Sequence, residues 1–372
     1  MGAREPLALP DFPWDTLVPL GDIARAHPDG IVDLSVGSPV DETPAVVRAA
    51  LAEATDAHSY PQTAGTPALR DAIVTWFAER RGVHGLTATH VLPTIGSKEL
   101  ISSLAQMLGI RAGDTVVYPA VAYPTYAIGA ALAGADALAS DDPAEWPEST
   151  RLIWVNSPGN PDGSVRDVAW LKSAVARARE LGAIIVGDEC YAEFTWNSDT
   201  PAPSILDPRV IEGDRSSVLA VYSLSKQSNL AGYRAGFVAG CSDLIGELLG
   251  VRKHAGLMPP APVQSAMIAA LGDHDHVVVQ RERYRARRAV LAPALEAAGF
   301  RIDHSEAGLY LWVTRGEDAW ASVAALASVG ILGTPGSFYG TSAHEHVRIA
   351  LTARDEAIAT AAERLGVLST SA

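Results

Sequence analysis

The chain has 372 residues and is 48% hydrophobic, which is enough for one large domain with a substantial core and a smaller second domain. Its 43 acidic and 29 basic residues give a formal net charge of −14, which argues against the broadly basic surface that binds nucleic acid or anionic membranes. No run approaches the ~20 apolar residues of a membrane helix, and no apolar signal core opens the sequence. We therefore expect a cytoplasmic protein without nucleic-acid or membrane partners.

The amino-terminal residues 1–38 are predicted to form an arm and part of a small domain. The arm is rich in proline and short apolar pieces, and a short strand over residues 31–36 ends at Gly37. Thr43 and Pro44 then predict the start of a helix. We expect a large domain over residues 39–262, closed by a proline-rich break, and a linking helix with a small α+β domain over residues 263–372.

Two loop-to-helix segments follow in the predicted large domain. Residues 58–70 form a loop with Tyr60 at its start and lead into a helix. Residues 90–98 lead into a second helix, whose first turn holds Gly96, Ser97 and Lys98. Free backbone N–H groups and the helix dipole favour an anion at such a helix start, and Lys98 adds positive charge.

Three short continuous apolar runs predict strands buried on both faces of a parallel sheet, at residues 152–155, 183–186 and 218–222. Asn160, Asp188 and Lys226 fall just beyond these runs. Because the carboxyl ends of parallel strands meet at one sheet edge, where open α/β sheets bind ligands, the three side chains are expected to converge. A further strand over residues 115–118 precedes Tyr123 and Tyr126.

The residues after the third run carry the clearest chemical signal, in the string SLSKQSNLAGYRAG (223–236). Lys226 suits attack on a carbonyl carbon, whereas Ser223, Ser225 and Arg234 suit a phosphate. Together these groups fit pyridoxal phosphate.

The carboxyl-terminal part is predicted to hold a long arginine-bearing helix near residues 277–298, a strand at 308–313 and a strand at 346–351 that carries Arg348. The arginines are interpreted as a solvated helix face. The H-x-H pairs at 274–276 and 344–346 lack a third ligand at a recognised spacing, so no metal site is expected.

The string around Lys226 resembles the pyridoxal-lysine signature of the class I/II aminotransferases, S-x-S-K followed by G-x-R-x-G. The other family motifs appear in family order: Y-x-x-x-x-G-x-x-x-L-R from Tyr60, N-x-P-x-N-P-x-G at 156–163 and D-E-x-Y at 188–191. Asp162 departs from the threonine often found there, with little effect expected. The resemblance implies an α/β fold-type-I pyridoxal-phosphate transferase with a mostly parallel seven-stranded sheet, acting as a homodimer with shared active sites.

The resemblance also implies roles for individual residues. Lys226 would condense with the cofactor aldehyde and move the substrate proton. Asp188 would pair with the pyridine nitrogen, and Asn160 and Tyr191 would hydrogen-bond its 3′ oxygen. Phosphate contacts would come from Gly96, Ser97, Lys98, Ser223, Ser225, Arg234 and the neighbouring subunit's Tyr60.

Substrate contacts are implied for Gly37, Asn160 and Arg348, with Arg348 holding the α-carboxylate in a bidentate fork. Stacking on the pyridine ring is assigned to Tyr123, with Tyr126 as the competitor. The chain is most similar to the succinyldiaminopimelate aminotransferases, which implies glutamate as the amino donor and N-succinyl-2-amino-6-oxopimelate as the acceptor. The alternatives are another amino-acid aminotransferase, with an aspartate or aromatic substrate, and a C–S lyase. A transcription regulator built on the same domain is disfavoured, because no DNA-binding module precedes the first strand.

Overall fold

The computed structural model describes residues 9–10, 12–197 and 201–369. Residues 1–8 of the predicted arm lie outside the described residues. The α-helices are α1 Val18–Arg25, α2 Ala45–Glu53, α3 Pro67–Arg81, α4 Gly96–Met107, α5 Thr125–Ala133, α6 Val168–Glu180, α7 Pro208–Ile211, α8 Leu224–Gln227, α9 Ser242–Ala255, α10 Ala261–Gly272, α11 Asp275–Ala297, α12 Ala319–Ser328 and α13 Asp355–Ser369. The strands are β1 Val32–Asp33, β2 Val91–Ile95, β3 Thr115–Tyr118, β4 Asp136–Ala139, β5 Thr150–Asn156, β6 Ile184–Asp188, β7 Val218–Ser223, β8 Ala235–Gly240, β9 Arg301–Asp303, β10 Tyr310–Thr314, β11 Ile331–Leu332, β12 Thr334–Pro335 and β13 His346–Ala350.

A seven-stranded sheet forms the centre of the molecule, in the order β2-β8-β7-β6-β5-β3-β4. Strands β4, β3, β5, β6 and β7 pair in parallel, and β8 runs antiparallel to both β7 and β2. Successive residues of β7 enter different apolar clusters, with Ala220 and Tyr222 on one face and Val221 on the other. Burial on both faces explains why this strand reads as a continuous apolar run. The mostly parallel seven-stranded sheet and the α/β class are as predicted.

A smaller antiparallel sheet, in the order β12-β13-β10-β9, lies near the carboxyl terminus. Its apolar face packs into a separate cluster that includes Leu311, Val313 and Ile349, together with Leu17 from the amino-terminal part and Tyr191 from the segment after β6. Chain segments distant in sequence therefore meet beside the end of β6. The boundaries of the two domains stay a prediction.

Local sequence signals explain how α3 and α4 begin. The Thr66 hydroxyl accepts a hydrogen bond from the Leu69 N–H at 3.2 Å, and Pro67 occupies the first turn of α3, where its missing N–H costs nothing. The helix ends at Gly82 in the left-handed conformation (φ 64°). Helix α4 starts at Gly96, as predicted, with φ at +72°, a value that glycine adopts without strain.

One local expectation, the cap at Thr43, was wrong. Thr43 does not cap α2, because the helix starts one residue after Pro44 and the Thr43 hydroxyl donates instead to the Asn229 carbonyl at 3.2 Å. Arg234 lies outside α8, which ends at Gln227, and its backbone is in the left-handed region (φ 55°). No helix in the described part of the chain is long and apolar enough to cross a membrane.

Candidate active site

A cavity of about 500 Å³ opens at the carboxyl ends of β5, β6 and β7. The β-sheet register places Asn156 beside Asp188 and Asp188 beside Val221, so the polar residues after these strands share one edge. The predicted site residues that line the cavity are Gly37, Ser97, Lys98, Tyr123, Asn160, Asp188, Tyr191, Ser223, Ser225, Lys226, Arg234 and Arg348. Gly96 and Tyr60 are not among the lining residues. The predicted convergence at one sheet edge is therefore observed.

Asp188 is a buried carboxylate that accepts two hydrogen bonds. The Tyr126 hydroxyl donates to its Oδ2 at 2.8 Å, and the Cys190 N–H donates to its Oδ1 at 3.3 Å. Burial raises the pKa of Asp188, and the hydrogen bonds from Cys190 and Tyr126 offset this only in part. Asp188 makes no ion pair with any residue that the structure describes. Burial without an ion pair makes the ionised form of Asp188 unfavourable, so a cation bound in the cavity would stabilise that form.

The two candidate stacking tyrosines occupy different places. Tyr126 is fully buried, stacks on Trp154 with ring centroids 5.1 Å apart, and lies behind Asp188. Tyr123 lines the cavity, and the Lys98 amine lies 5.8 Å from the centroid of its ring. Of the two, only Tyr123 lines the cavity, which favours Tyr123 over Tyr126 as the residue that stacks on the pyridine ring.

Lys226 projects into the cavity from α8, directly after β7. Its amine donates to the carbonyl of Gly37, which reaches the site from the amino-terminal part of the chain. A Cβ atom at Gly37 would overlap the Tyr310 hydroxyl, so a larger residue does not fit there without displacing Tyr310. Gly37 thus leaves room for the Tyr310 hydroxyl beside the lysine's partner carbonyl.

An anion cradle lies at the start of α4. Ser97 lines the cavity, and a Cβ at Gly96 would lie 2.5 Å from Nη2 of Arg234, so the guanidinium approaches the helix start closely. Backbone N–H groups at a helix start together with a guanidinium favour a phosphate. The Ser223 and Ser225 hydroxyls, 2.8 Å apart, line the same cavity.

Arg348 reaches the cavity from β13 of the smaller sheet and is buried. Its Nη1 donates to Oδ1 of Asn160 at 3.0 Å, and its Nη2 donates to the Ser35 carbonyl at 2.6 Å. The Asn160 N–H donates to the Asn156 side chain at 2.8 Å, which fixes this loop. Nε of Arg348 has no hydrogen-bond partner among the described residues. A buried guanidinium with an unpaired N–H can still donate a hydrogen bond to an anionic ligand.

The site includes residues that the sequence reasoning did not single out. Tyr310 of β10 lines the cavity, and its hydroxyl lies 3.1 Å from that of Tyr191. Cys190, the variable position of D-E-x-Y, also lines it, and both it and Cys241 are free cysteines. Phe12 and Trp14 line the cavity from the amino-terminal arm. Cys190 could have been found from its place inside the motif, whereas nothing in the sequence places the other three beside Lys226.

Tyr60 is 98% exposed in the single chain and contributes nothing to the cavity of its own chain. Within the described residues, no group of three or more His, Cys, Asp or Glu side chains is arranged to hold a metal ion.

The residues present fit pyridoxal phosphate on three separate features. Asp188 is a buried carboxylate without a cation, which suits a protonated ring nitrogen. The close approach of Arg234 to Gly96 at a helix start suits a phosphate. Lys226 lines the same cavity as these two groups, and its amine suits attack on an aldehyde carbon.

Comparisons with known proteins agree with this geometry. The family model for aminotransferase class I and II matches residues 29–365. The chain is 55% identical over 358 residues to the 4-dedimethylamino-4-oxo-anhydrotetracycline transaminase OxyQ of Streptomyces rimosus (96% of this chain, 99% of the relative). It is 32% identical to the LL-diaminopimelate aminotransferase of Dehalococcoides mccartyi over 89% of each chain. The structure of a probable N-succinyldiaminopimelate aminotransferase from Thermus thermophilus superposes with a TM-score of 0.86 at 28% identity, covering 96% of this chain and 100% of that one. The chain therefore belongs to the class I and II aminotransferases, a family of fold-type-I enzymes that depend on pyridoxal phosphate.

Proposed function

We propose that this aminotransferase interconverts L-glutamate and N-succinyl-2-amino-6-oxopimelate with 2-oxoglutarate and N-succinyl-LL-2,6-diaminopimelate. The observation that carries this proposal is the charge that the cavity leaves for a substrate. Once Lys226, Arg234 and Asp188 are assigned to the cofactor, Lys98 and Arg348 remain as cationic lining residues, with no acidic one among those described. In a chain of net charge −14, such a cluster selects anionic ligands. The proposed acceptor carries three carboxylates and glutamate carries two.

The similarity to proteins named for diaminopimelate substrates supports the same proposed substrate. The D. mccartyi relative is named an LL-diaminopimelate aminotransferase, and the T. thermophilus structure is titled a probable N-succinyldiaminopimelate aminotransferase. We assign the α-carboxylate of the substrate to Arg348. We assign its distal anionic end to Lys98, beside Tyr123, in place of the phosphate contact that the resemblance implied for Lys98.

Residues of this chain would perform the following tasks. Pyridoxal phosphate, when bound, supplies an electron-withdrawing ring that stabilises the negative charge left on the substrate α-carbon. The Lys226 amine removes the α-proton, and Asp188 keeps the ring nitrogen protonated. Asn160 and Tyr191 donate hydrogen bonds to the 3′ oxygen. Gly96, Ser97, Ser223, Ser225 and Arg234 hold the phosphate.

We further propose that the working form is a homodimer in which the two copies share their active sites. The exposure of Tyr60 supports this, because its hydroxyl is free to reach the phosphate of a second copy. An isolated chain would then lack one phosphate contact.

A second candidate is amination of a polycyclic aromatic ketone. The 55% identity to OxyQ favours it, since that protein is named for an anhydrotetracycline substrate. The aromatic lining by Phe12, Trp14 and Tyr123 offers a surface on which such rings could pack.

A substrate panel separates these candidates. The purified holoenzyme would be given L-glutamate, L-aspartate, L-phenylalanine and L-cysteine as donors, and then N-succinyl-2-amino-6-oxopimelate, 2-oxoglutarate or an anhydrotetracycline ketone as acceptors. We expect the highest kcat/KM for the glutamate and succinylated oxopimelate pair. A preference for the polycyclic ketone would replace the proposal with the second candidate. Release of pyruvate from cysteine without any acceptor would indicate a C–S lyase.

Arg348→Lys is expected to raise the KM for amino donors by roughly 10- to 100-fold, because lysine cannot form the bidentate fork with a carboxylate. Steady-state kinetics with L-glutamate measures the change. Arg354→Lys is the matched control, since Arg354 is exposed and follows the same strand. An unchanged KM in Arg348→Lys would show that the carboxylate is bound elsewhere.

A further inference from the structure

Tyr310 connects the smaller sheet to the cavity of the large one. It opens β10, is 2% exposed, and lines the cavity beside Lys226 and Arg348. Strand β10 pairs with β13 so that Trp312 lies opposite Arg348, which brings Tyr310 and Arg348 to the same end of this sheet. The side chain has two parts, a ring and a hydroxyl, and each contacts a different functional group.

The ring supports the guanidinium. Cζ of Arg348 lies 4.1 Å from the centroid of the Tyr310 ring, a cation–π contact in a site sheltered from water. The two hydrogen bonds of Arg348, to Asn160 and to the Ser35 carbonyl, hold its Nη1 and Nη2 atoms. The Tyr310 ring packs against the guanidinium and so restricts its movement further. A phenylalanine would supply the same contact.

The hydroxyl contacts Tyr191. The two phenol oxygens lie 3.1 Å apart, and the backbone of Gly37 closes the other side of the Tyr310 hydroxyl. The charged and titratable groups that interact with it are Arg348, Lys226, Tyr191, Cys190, Tyr284 and Tyr339. Burial raises the pKa of Tyr310, but the positive charges of Arg348 and Lys226 outweigh burial and lower it. Burial raises the pKa of Tyr191, with Tyr310 as the next cause. A hydroxyl has one proton, and that of Tyr191 is the one proposed above for the 3′ oxygen, so Tyr310 is the donor of the pair.

We propose that Tyr310 is a positioning residue with two separable actions: its ring holds Arg348 ready for the substrate carboxylate, and its hydroxyl donates to Tyr191 so that the Tyr191 hydroxyl points at the 3′ oxygen of the cofactor. The proposal rests on the roles proposed above for Tyr191 and Arg348. It adds a residue outside the recognised motifs and explains why Gly37 cannot carry a side chain.

The hydroxyl has a measurable consequence in the absence of substrate. A phenol that accepts a hydrogen bond donates more strongly, so Tyr310 strengthens the bond from Tyr191 to the 3′ oxygen. That hydrogen bond withdraws negative charge from the 3′ oxygen of the cofactor. The Lys226 nitrogen that links to the cofactor would then lose its proton more readily. Loss of the hydroxyl would then raise the pH midpoint of the cofactor absorption by about 0.1–0.7 units.

The test compares Tyr310→Phe and Tyr310→Leu as cofactor-loaded proteins. A visible pH titration without substrate is expected to show a higher midpoint in both variants. The KM for L-glutamate is expected to stay near the wild-type value in Tyr310→Phe and to rise about 10- to 30-fold in Tyr310→Leu, which loses the ring. Tyr339→Phe is the matched control, because Tyr339 also lies beside Arg348, at 5.0 Å, but is not part of the Tyr191–Tyr310 pair.

A double-mutant cycle shows whether the hydroxyl acts through Tyr191. In a Tyr191→Phe background, adding Tyr310→Phe is expected to cause no further midpoint shift. A Tyr310→Phe midpoint equal to that of the wild type, or a full additional shift in the Tyr191→Phe background, would overturn the proposal. If Tyr310→Leu does not fold, the titrations of the phenylalanine variants decide alone. Failure of the proposed function looks different, because the wild type itself would then show no half-reaction with L-glutamate.

Discussion

Lys226→Ala is expected to abolish turnover and to remove the absorption band of protein-linked cofactor. Lys226 follows β7 and lines the same cavity as Asp188 and Arg234, and its amine donates to the carbonyl of Gly37. Loss of its proton transfer alone costs roughly 10²–10⁴-fold in rate, and loss of the covalent link adds to that. Visible spectroscopy and a single-turnover assay with L-glutamate measure both effects.

Lys172→Ala serves as the matched control. Lys172 is exposed and makes a surface ion pair with Glu212 at 2.6 Å, so removing it changes the lysine content without touching the cavity. The control should keep the absorption band and the wild-type rate. A Lys226→Ala protein that retained both would show that another amine performs the chemistry.

Asp188→Asn is expected to lower kcat by about 10- to 1,000-fold. A carboxylate raises the pKa of a nearby ring nitrogen by about one to three units, because it stabilises the protonated, cationic nitrogen. Each unit corresponds to a tenfold change in the protonation equilibrium. Asparagine keeps a hydrogen-bond acceptor for the Tyr126 hydroxyl but loses the charge. Asp162→Asn is the control, because Asp162 is an acidic residue that does not itself line the cavity. Equal rates in wild type and Asp188→Asn would remove Asp188 from the mechanism.

The same substitution should stabilise the protein when the cofactor is removed. Burial raises the pKa of Asp188, so the folded state disfavours its ionised form. Below the ordinary carboxyl pKa of about 3.9 the group is protonated in both states and carries no penalty. As the pH rises through the raised folded value, the unfolded chain releases the proton more readily and stability falls. Cofactor-free Asp188→Asn should therefore melt at a higher temperature than wild type at neutral pH, and the difference should disappear in acid.

The central sheet and its polar edge were predictable because they rest on local signals. Strands β5, β6 and β7 are buried on both faces, so each leaves a continuous apolar run in the sequence, and a polar residue marks where each run ends. Parallel pairing then brings Asn156 and Asp188 into register. The helix start at Gly96 was equally clear from the apolar periodicity that follows it.

The missed elements depend on contacts that the local sequence does not encode. The alanine-rich residues 127–139 predict a single helix, but α5 ends at Gly134 and β4 follows at the exposed sheet edge, where pairing with β3 overrides the helix preference of alanine. Tyr310 enters the cavity only because β10 pairs with β13, and Trp14 reaches it because its ring packs on Phe338 and Tyr339. Such placements follow from tertiary packing between distant segments.

Borohydride reduction of the purified, cofactor-loaded protein, followed by peptide mass spectrometry, tests the central claim most directly. It fixes the bond between a lysine amine and the cofactor aldehyde as a stable pyridoxyl group. The account predicts that this label lies on Lys226, at the end of β7, and is absent from Lys98, the other lysine that lines the cavity. A label on any other lysine, or no label on Lys226, would contradict it.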